Sequence, residues 1–435
     1  MNGVITLSLG EKIREVRKAQ GLSQENLAKA INCTISTVSR IERGQLECTP
    51  EMLVGIRKEL GVEKAPLLDD ERDVFVKRIW MWSDLILARR YDEAKTLQQE
   101  MQIIQRLPYE VDLNLLFKML EVRTLFKDKE ISKAAERLDE AAQQKSQMSK
   151  ETLQLYYRNK GVLASRNYDN KGSIKYFIKA IDIGSEIFKS DLPSMLHNVA
   201  ICYSNLSKFH YAIAYLERAK NAYIDDRTRS LFSEINVSLA EYYRKTGNLQ
   251  KSKLLTEETL VNARSMNDNL VIYCCLQNLA QISLEREDFE EAVKQYDGII
   301  NFVNDKDDLR QEMLYLLYGK AYPLFRLKRF DDFEKALSEG LNLTKDFDMG
   351  TIMFKSLKHL TTIHEAASQD YIENISIPAQ VNANYLTSAL RYCDKLEEHY
   401  KKKGATKKAL QIAAMARDIY KEMFSDINLD EGDNS

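Results

Sequence analysis

Apolar residues recur along this chain at spacings of three and four, the period of one face of a helix, and the pattern predicts helices almost throughout. In "GEKIREVRKAQ" (Gly10 to Gln20), Ile13 and Val16 share a face, and Gly21 supplies a left-handed stop. Ser23 caps a second short helix with Leu27 and Ala28 inward. "INC" makes a turn, and Thr34 caps a third helix that ends at Gly44 with Val38 and Ile41 inward. A fourth helix follows Pro50 and closes at Gly61. Short helices joined by a tight turn, apolar on one side only, predict a helix-turn-helix.

Downstream the pattern repeats. "RYDEAKTL", "EISKAAERL", "YDNKGSIKYF", "KFHYAIAYL", "NLQKSKLL", "DFEEAVKQY" and "RFDDFEKAL" align on Ala94, Ala134, Ser173, Ala212, Ser252, Ala292 and Phe333, at intervals of 40, 39, 39, 40, 40 and 41. Gly161, Ala200, Ala240, Ala280 and Ala321 lie 12 residues before five of these, each in a preceding helix. Paired small residues let two helices approach closely, and pairs of this kind stack. Beyond Phe333 the pattern degrades, and "QDYIENISIPAQ" reads as an irregular connection around Pro378. It recovers at Gly404, Ala409 and Ala416 in a last helix pair, before an acidic tail, 425–435, expected to be disordered.

Composition agrees: six prolines and sixteen glycines in 435 residues fit an all-α chain. Formal charge is −2 overall, but residues 1–62 carry nine Lys/Arg against seven Glu, so any nucleic-acid contact belongs there. No apolar run is long enough to span a bilayer, no signal peptide is evident, and six scattered cysteines lack metal-ligand spacing. A reduced, cytoplasmic protein without metal or cofactor is expected. The five histidines form no H-E-x-x-H, and neither G-x-S-x-G nor a phosphate loop occurs, so no enzyme is expected.

On the third helix Ile35, Ser36, Ser39 and Arg40 are short or basic and share the outward face, as a helix entering a major groove requires. The cap at Thr34 leaves N–H groups free at a helix start, where phosphate oxygens bind. "LGEKIREVRKAQGLSQENLA" followed by "TVSRIERG" resembles the Xre/Cro/repressor family over residues 9–62. That resemblance implies that Gln24 contacts phosphate, that Ile35, Ser36, Ser39 and Arg40 read bases, and that Arg43 holds the backbone. It also implies a structural ion pair between Arg17 and Glu42. Where the family often has long amides on the reading face, Ile35 and Ser36 are apolar and short.

The spacing Ala200, Tyr203, Phe209, Ala212, Ala219 is similar to that of tetratricopeptide repeats. The expected architecture is an N-terminal helix-turn-helix domain (1–65), a linker (66–72) and a right-handed repeat superhelix (73–424) for peptide binding and dimerisation. Two positions before each small residue of the first helices lie Asn159, Asn198, Ser238, Asn278 and Gly319, which in such a superhelix face a concave groove. A ladder of amides both donates to and accepts from the peptide units of an extended chain, whatever its sequence. Arg158, Arg166, His197, Asn205, Arg244, Lys245, Gln277, Gln281, Tyr315, Tyr318 and Tyr322 are neighbouring candidates, their cations suited to a carboxylate.

The combination resembles the RRNPP family of cytoplasmic peptide-sensing regulators, nearest its NprR- and PlcR-like members. The resemblance implies a homodimer that binds operator DNA and a short re-imported signalling peptide, the peptide altering dimer geometry, as in quorum sensing. Two alternatives stay open: an adaptor for a response regulator or phosphotransfer protein, and a phage repressor using a peptide to choose between lysis and lysogeny.

Overall fold

The computed structural model describes residues 7–184, 189–222, 229–304, 312–344, 348–383 and 385–424, and the expected acidic tail lies outside them. Among the described residues every regular element is helical, and no helix is long and apolar enough to cross a membrane. The chain divides into two compact units, one running to Asp191 and the other beginning at Leu192.

The first unit opens with α1 (Leu9–Ala19), α2 (Gln24–Ala30), α3 (Ile35–Glu42) and α4 (Pro50–Glu59). Their starts follow from capping. The hydroxyls of Ser8, Ser23, Thr34 and Thr49 each accept from the backbone N–H three residues on. Ile13, Val16, Leu27, Ala28, Val38 and Ile41 are buried together, as the periodicity requires. Gly10 fixes how α1 meets α3: a Cβ there would lie 2.0 Å from the Ile41 carbonyl oxygen.

Three helical hairpins follow: α5 (Asp69–Leu87) with α6 (Tyr91–Met101), α7 (Val111–Lys127) with α8 (Ile131–Ala142), and α9 (Lys150–Arg166) with α10 (Asn170–Ile183). Residues 69–72, read from sequence as part of a linker, form the first turn of α5. Three acids, Asp69, Asp70 and Glu71, suit a helix start, and the Glu71 carboxylate accepts from the N–H groups of Leu67 and Leu68 at 3.1 and 3.0 Å. The opening domain is tied to these hairpins. Arg57 grips Glu71, Lys12 reaches Asp69 at 2.8 Å, and Arg106 donates to the Gly61 carbonyl at 2.6 Å. One apolar cluster continues from Ile13 through Val62, Leu67 and Trp82 to Leu163.

The second unit stacks α11 (Leu192–Asn205) with α12 (Phe209–Asn221), α13 (Arg229–Lys245) with α14 (Leu249–Ser265), α15 (Asn269–Glu285) with α16 (Phe289–Asn304), and α17 (Met313–Arg326) with α18 (Phe330–Leu343). Then come α19 (Asp348–Thr361), α20 (Ala366–Tyr371) and α21 (Ile377–Asn382), and finally α22 (Leu386–Lys402) with α23 (Thr406–Phe424). The segment expected to be irregular around Pro378 is helical instead. A π-helical turn, Ile372–Ser376, joins α20 to α21, and Pro378 sits in the first turn of α21.

The aligned small residues are buried in their hairpins, from Ala94 at 1% to Ala292 at 0% exposure. Where serine replaces alanine, its hydroxyl bonds the carbonyl of the small residue on the companion helix: Ser173 to Gly161 at 2.8 Å and Ser252 to Ala240 at 2.6 Å. Aromatic rings fill the space that small residues leave. A Cβ at Gly319 would lie 2.6 Å from the Tyr296 ring, and one at Gly161 would lie 3.0 Å from Phe177.

The hairpin turns share one geometry. Arg89, Lys129, Tyr168, Ser207, Gly247, Glu287 and Lys328 all adopt positive φ, at 40, 39, 39, 40, 40 and 41-residue intervals. The next residue's N–H then bonds back to the helix end, as in Arg90 N to Leu85 O and Arg329 N to Leu324 O.

Candidate nucleic-acid interface and ligand-facing helices

In the opening domain α3 lies on a frame held by Arg17 and Glu42. The Arg17 guanidinium meets the Glu42 carboxylate at 2.6 and 3.0 Å, and a third N–H donates to the Leu22 carbonyl at 2.7 Å. Burial alone would raise the Glu42 carboxyl, but hydrogen bonds from Arg17 and Gln24, with the Arg17 and Arg14 charges, leave it below the usual range. The Gln24 amide donates to Glu42 at 2.8 Å, so it braces this frame.

Thr34 caps α3 and its hydroxyl lies 2.9 Å from that of Thr37. Ile35, Ser36 and Arg40 are exposed, Ile35 at 49%, and Ser39 is half-buried. Arg43, just past the helix, is exposed and bonds the Ser39 carbonyl at 3.1 Å. Arg40 makes no ion pair or side-chain hydrogen bond with any described residue. Its guanidinium therefore keeps its N–H groups open to an outside acceptor.

In the first unit, Asn159 is fully buried. Its amide donates to the Met119 carbonyl at 2.8 Å, about one repeat earlier, and its oxygen accepts from Arg158 at 3.2 Å. Arg158 is drawn to Asp191 at 4.0 Å, while Arg123 holds the same carboxylate at 2.9 and 3.1 Å. Burial and the adjacent Arg123 charge lower Arg158 to about 10. Arg166 is exposed at the end of α9. The sequence carries no signal for Arg123 or Asp191, which are 68 residues apart.

In the second unit the Asn198 amide bonds the Ser194 carbonyl of its own helix at 2.8 Å, and His197 meets the Ser238 hydroxyl at 3.4 Å. Burial lowers the His197 pKa. Asn278 is fully engaged: it donates to Ser252 at 3.0 Å and Thr256 at 2.8 Å, and accepts from Arg244 at 2.9 Å. Arg244 also pairs with Glu285. Lys245 pairs with Glu241 at 2.7 Å, Gln277 is half-buried, and Asn205 is exposed.

The structure brings the remaining candidates together. Gln281 donates to the Tyr296 hydroxyl at 2.6 Å. Tyr315, Tyr318 and Tyr322 follow one face of α17, with Tyr315 39% exposed. The Tyr318 hydroxyl lies 3.3 Å from that of Tyr392, and the Tyr322 hydroxyl accepts from Arg326 at 3.0 Å. Arg391 on α22, which the repeat pattern did not single out, places its guanidinium 5.0 Å from the centre of the Tyr322 ring.

Residues 13–67 match the helix-turn-helix family. Among solved structures, the apo form of the quorum sensor NprR from B. thuringiensis is similar over 81% of this chain and 100% of its own, with TM-score 0.67 and 18% identity. A Rap protein complexed with competence and sporulation factor is similar over 81% of this chain and 99% of its own, with TM-score 0.65 and 14% identity. NprR in complex with its cognate peptide NprX covers 79% and 98%, with TM-score 0.61 and 17% identity. These likenesses are of fold. Among curated proteins no sequence matches.

Proposed function

We propose that this chain is a transcriptional regulator of the RRNPP kind, in which a helix-turn-helix domain binds operator DNA and the repeats bind a short signalling peptide. One observation carries the reading: a fold similar to a quorum sensor solved with its peptide follows a helix-turn-helix whose outward Arg40 has no partner among the described residues. A head of net charge about +2 neutralises few phosphates and binds weakly alone. Two heads about one helical turn, ~34 Å, apart gain through effective concentration, so a cytoplasmic homodimer is the working form. A peptide that changes their spacing by preferring one arrangement needs a coupling of only about 1–3 kcal/mol.

The test begins with selection of duplexes from a random pool by the full chain, followed by titration of the winners. Arg40→Ala should lose preference for the selected sites and retain residual, salt-sensitive binding to any duplex. Selection that yields no preferred sequence rejects the DNA-binding half. Titration with candidate secreted peptides that leaves affinity and footprint unchanged rejects the switch.

The likeness to a Rap protein supports a second reading, an adaptor for a response regulator. Capture of response regulators that persists after the opening domain is disabled by Arg40→Ala would favour it. A phage repressor choosing between lysis and lysogeny has the same architecture, and the genes beside this one distinguish it.

A further inference from the structure

Three guanidiniums stand around the tyrosines of α16, α17 and α22, and two have their own carboxylates. Arg244 pairs with Glu285, and Arg326 with Glu287 at 3.4 Å. Arg391 has none among the described residues, although Asp394 is one turn further along α22. It is half-buried, its guanidinium carbon over the Tyr322 ring and 5.0 Å from the ring centre. Its charge also bears on the buried hydroxyls of Tyr296 and Tyr392, where it opposes the upward pull of burial.

A ring face attracts a cation but fills none of its N–H groups, which lie in the guanidinium plane. Partial burial removes water that would otherwise serve them. A planar fork held against a ring, without a carboxylate of its own among the described residues, matches an incoming carboxylate, which accepts two parallel bonds from it. Tyr318 and Tyr322 share a face of α17 beside it: the Tyr318 hydroxyl lies 3.3 Å from that of Tyr392, the neighbour of Arg391 in sequence, and the Tyr322 hydroxyl accepts from Arg326 at 3.0 Å.

We propose that Arg391 is the receptor for a carboxylate of the bound peptide, with Tyr318 and Tyr322 as its flanking contacts. The site deepens the peptide-binding reading and rests on it. The carboxylate comes from the peptide's free C-terminus or from an Asp or Glu side chain.

The experiment uses the full chain and three pooled random heptapeptide libraries: free-acid, C-terminally amidated, and free-acid without Asp or Glu. Peptides retained by the wild type are then measured individually by fluorescence anisotropy against wild type, Arg391→Gln and Arg391→Lys. We expect Arg391→Gln to weaken binding about tenfold or more, with Arg391→Lys between the two. Loss of all binders from the amidated library assigns the carboxylate to the terminus. Loss from the Asp/Glu-free library, with amidated peptides still bound, assigns it to a side chain. Peptides with that carboxylate neutralised should bind wild type and Arg391→Gln equally, a comparison made on the ligand and independent of any folding defect. Affinity within about twofold in Arg391→Gln overturns the site while leaving peptide binding standing. Retention of nothing by the wild type, from any library, overturns the peptide reading itself and the site with it.

Discussion

Arg17 and Glu42 meet through two near-parallel hydrogen bonds, Nε to Oε1 at 2.6 Å and Nη2 to Oε2 at 3.0 Å, with side chains only 11% and 2% exposed. Removing one partner strands the other in a dry site. Arg17→Met should lower the stability of the opening domain by about 3–5 kcal/mol in denaturant unfolding followed by circular dichroism. The pH dependence has a definite sign. The folded Glu42 carboxyl sits below its ordinary value, so its contribution is complete above about pH 4.3 and is lost as pH falls through the folded value. In Glu42→Gln that part of the acid dependence should vanish.

Two glycines should respond to alanine in opposite directions. At Gly10 a methyl would meet the Ile41 carbonyl oxygen at 2.0 Å, and backbone must move to admit it. Gly10→Ala should therefore destabilise by about 1–3 kcal/mol and weaken DNA binding. Gly298, inside α16, has no atom of another described element within 4 Å of its would-be Cβ. There alanine should stabilise by about 0.5–1 kcal/mol, because glycine is the poorer helix former. Equal shifts in the two melting curves would contradict the close approach of α1 to α3.

Tyr168 turns the hairpin between α9 and α10 at φ 61°, yet its side chain is 90% exposed. It contributes little packing and carries the steric penalty of a left-handed residue. Tyr168→Gly should raise stability by roughly 0.5–1 kcal/mol, less than the full 1–2 kcal/mol penalty, since glycine loses more chain entropy on folding. A lower melting temperature would mean that the ring does more than the turn geometry indicates.

Burial pushes the thiols of Cys274, Cys275 and Cys393 up to about 12. At pH 8 such a thiol is ionised to about one part in ten thousand. Iodoacetamide with peptide mass mapping should modify these three only after denaturant is added. Rapid alkylation of the native chain would show that the helices around them open.

Much of the fold is legible in the sequence because it is decided locally. The caps at Ser23 and Thr34 and the stops at Gly21, Gly44 and Gly61 depend on residues within one turn, and the helices begin and end around them. The repeat register is equally plain, since a small residue recurs wherever two helices touch. The turns are less so: Lys129 or Glu287 gives no hint of positive φ, and only Gly247 announces it. Pro378 reads as a breaker, but the helical backbone runs on through it, with the π-helical turn Ile372–Ser376 just before it. For the site, residue types are visible and their partners are not. Asn159 looks like an open amide until the Met119 carbonyl appears beneath it. Asp191 gathers two arginines from distant helices, and Arg391 comes from a hairpin where the repeat pattern is faint.

The ring of Tyr296 lying on Gly319 also constrains how this protein changes over generations. A side chain at 319 would force the Tyr296 ring to shift, and a smaller residue at 296 leaves a hole that a larger 319 would fill. The two positions are therefore coupled, and a change at one favours a change at the other. Descendants in which 319 has gained bulk should show 296 shrunken in the same lineage, and the hydrogen bond that Gln281 now donates to the phenol should disappear along with the ring.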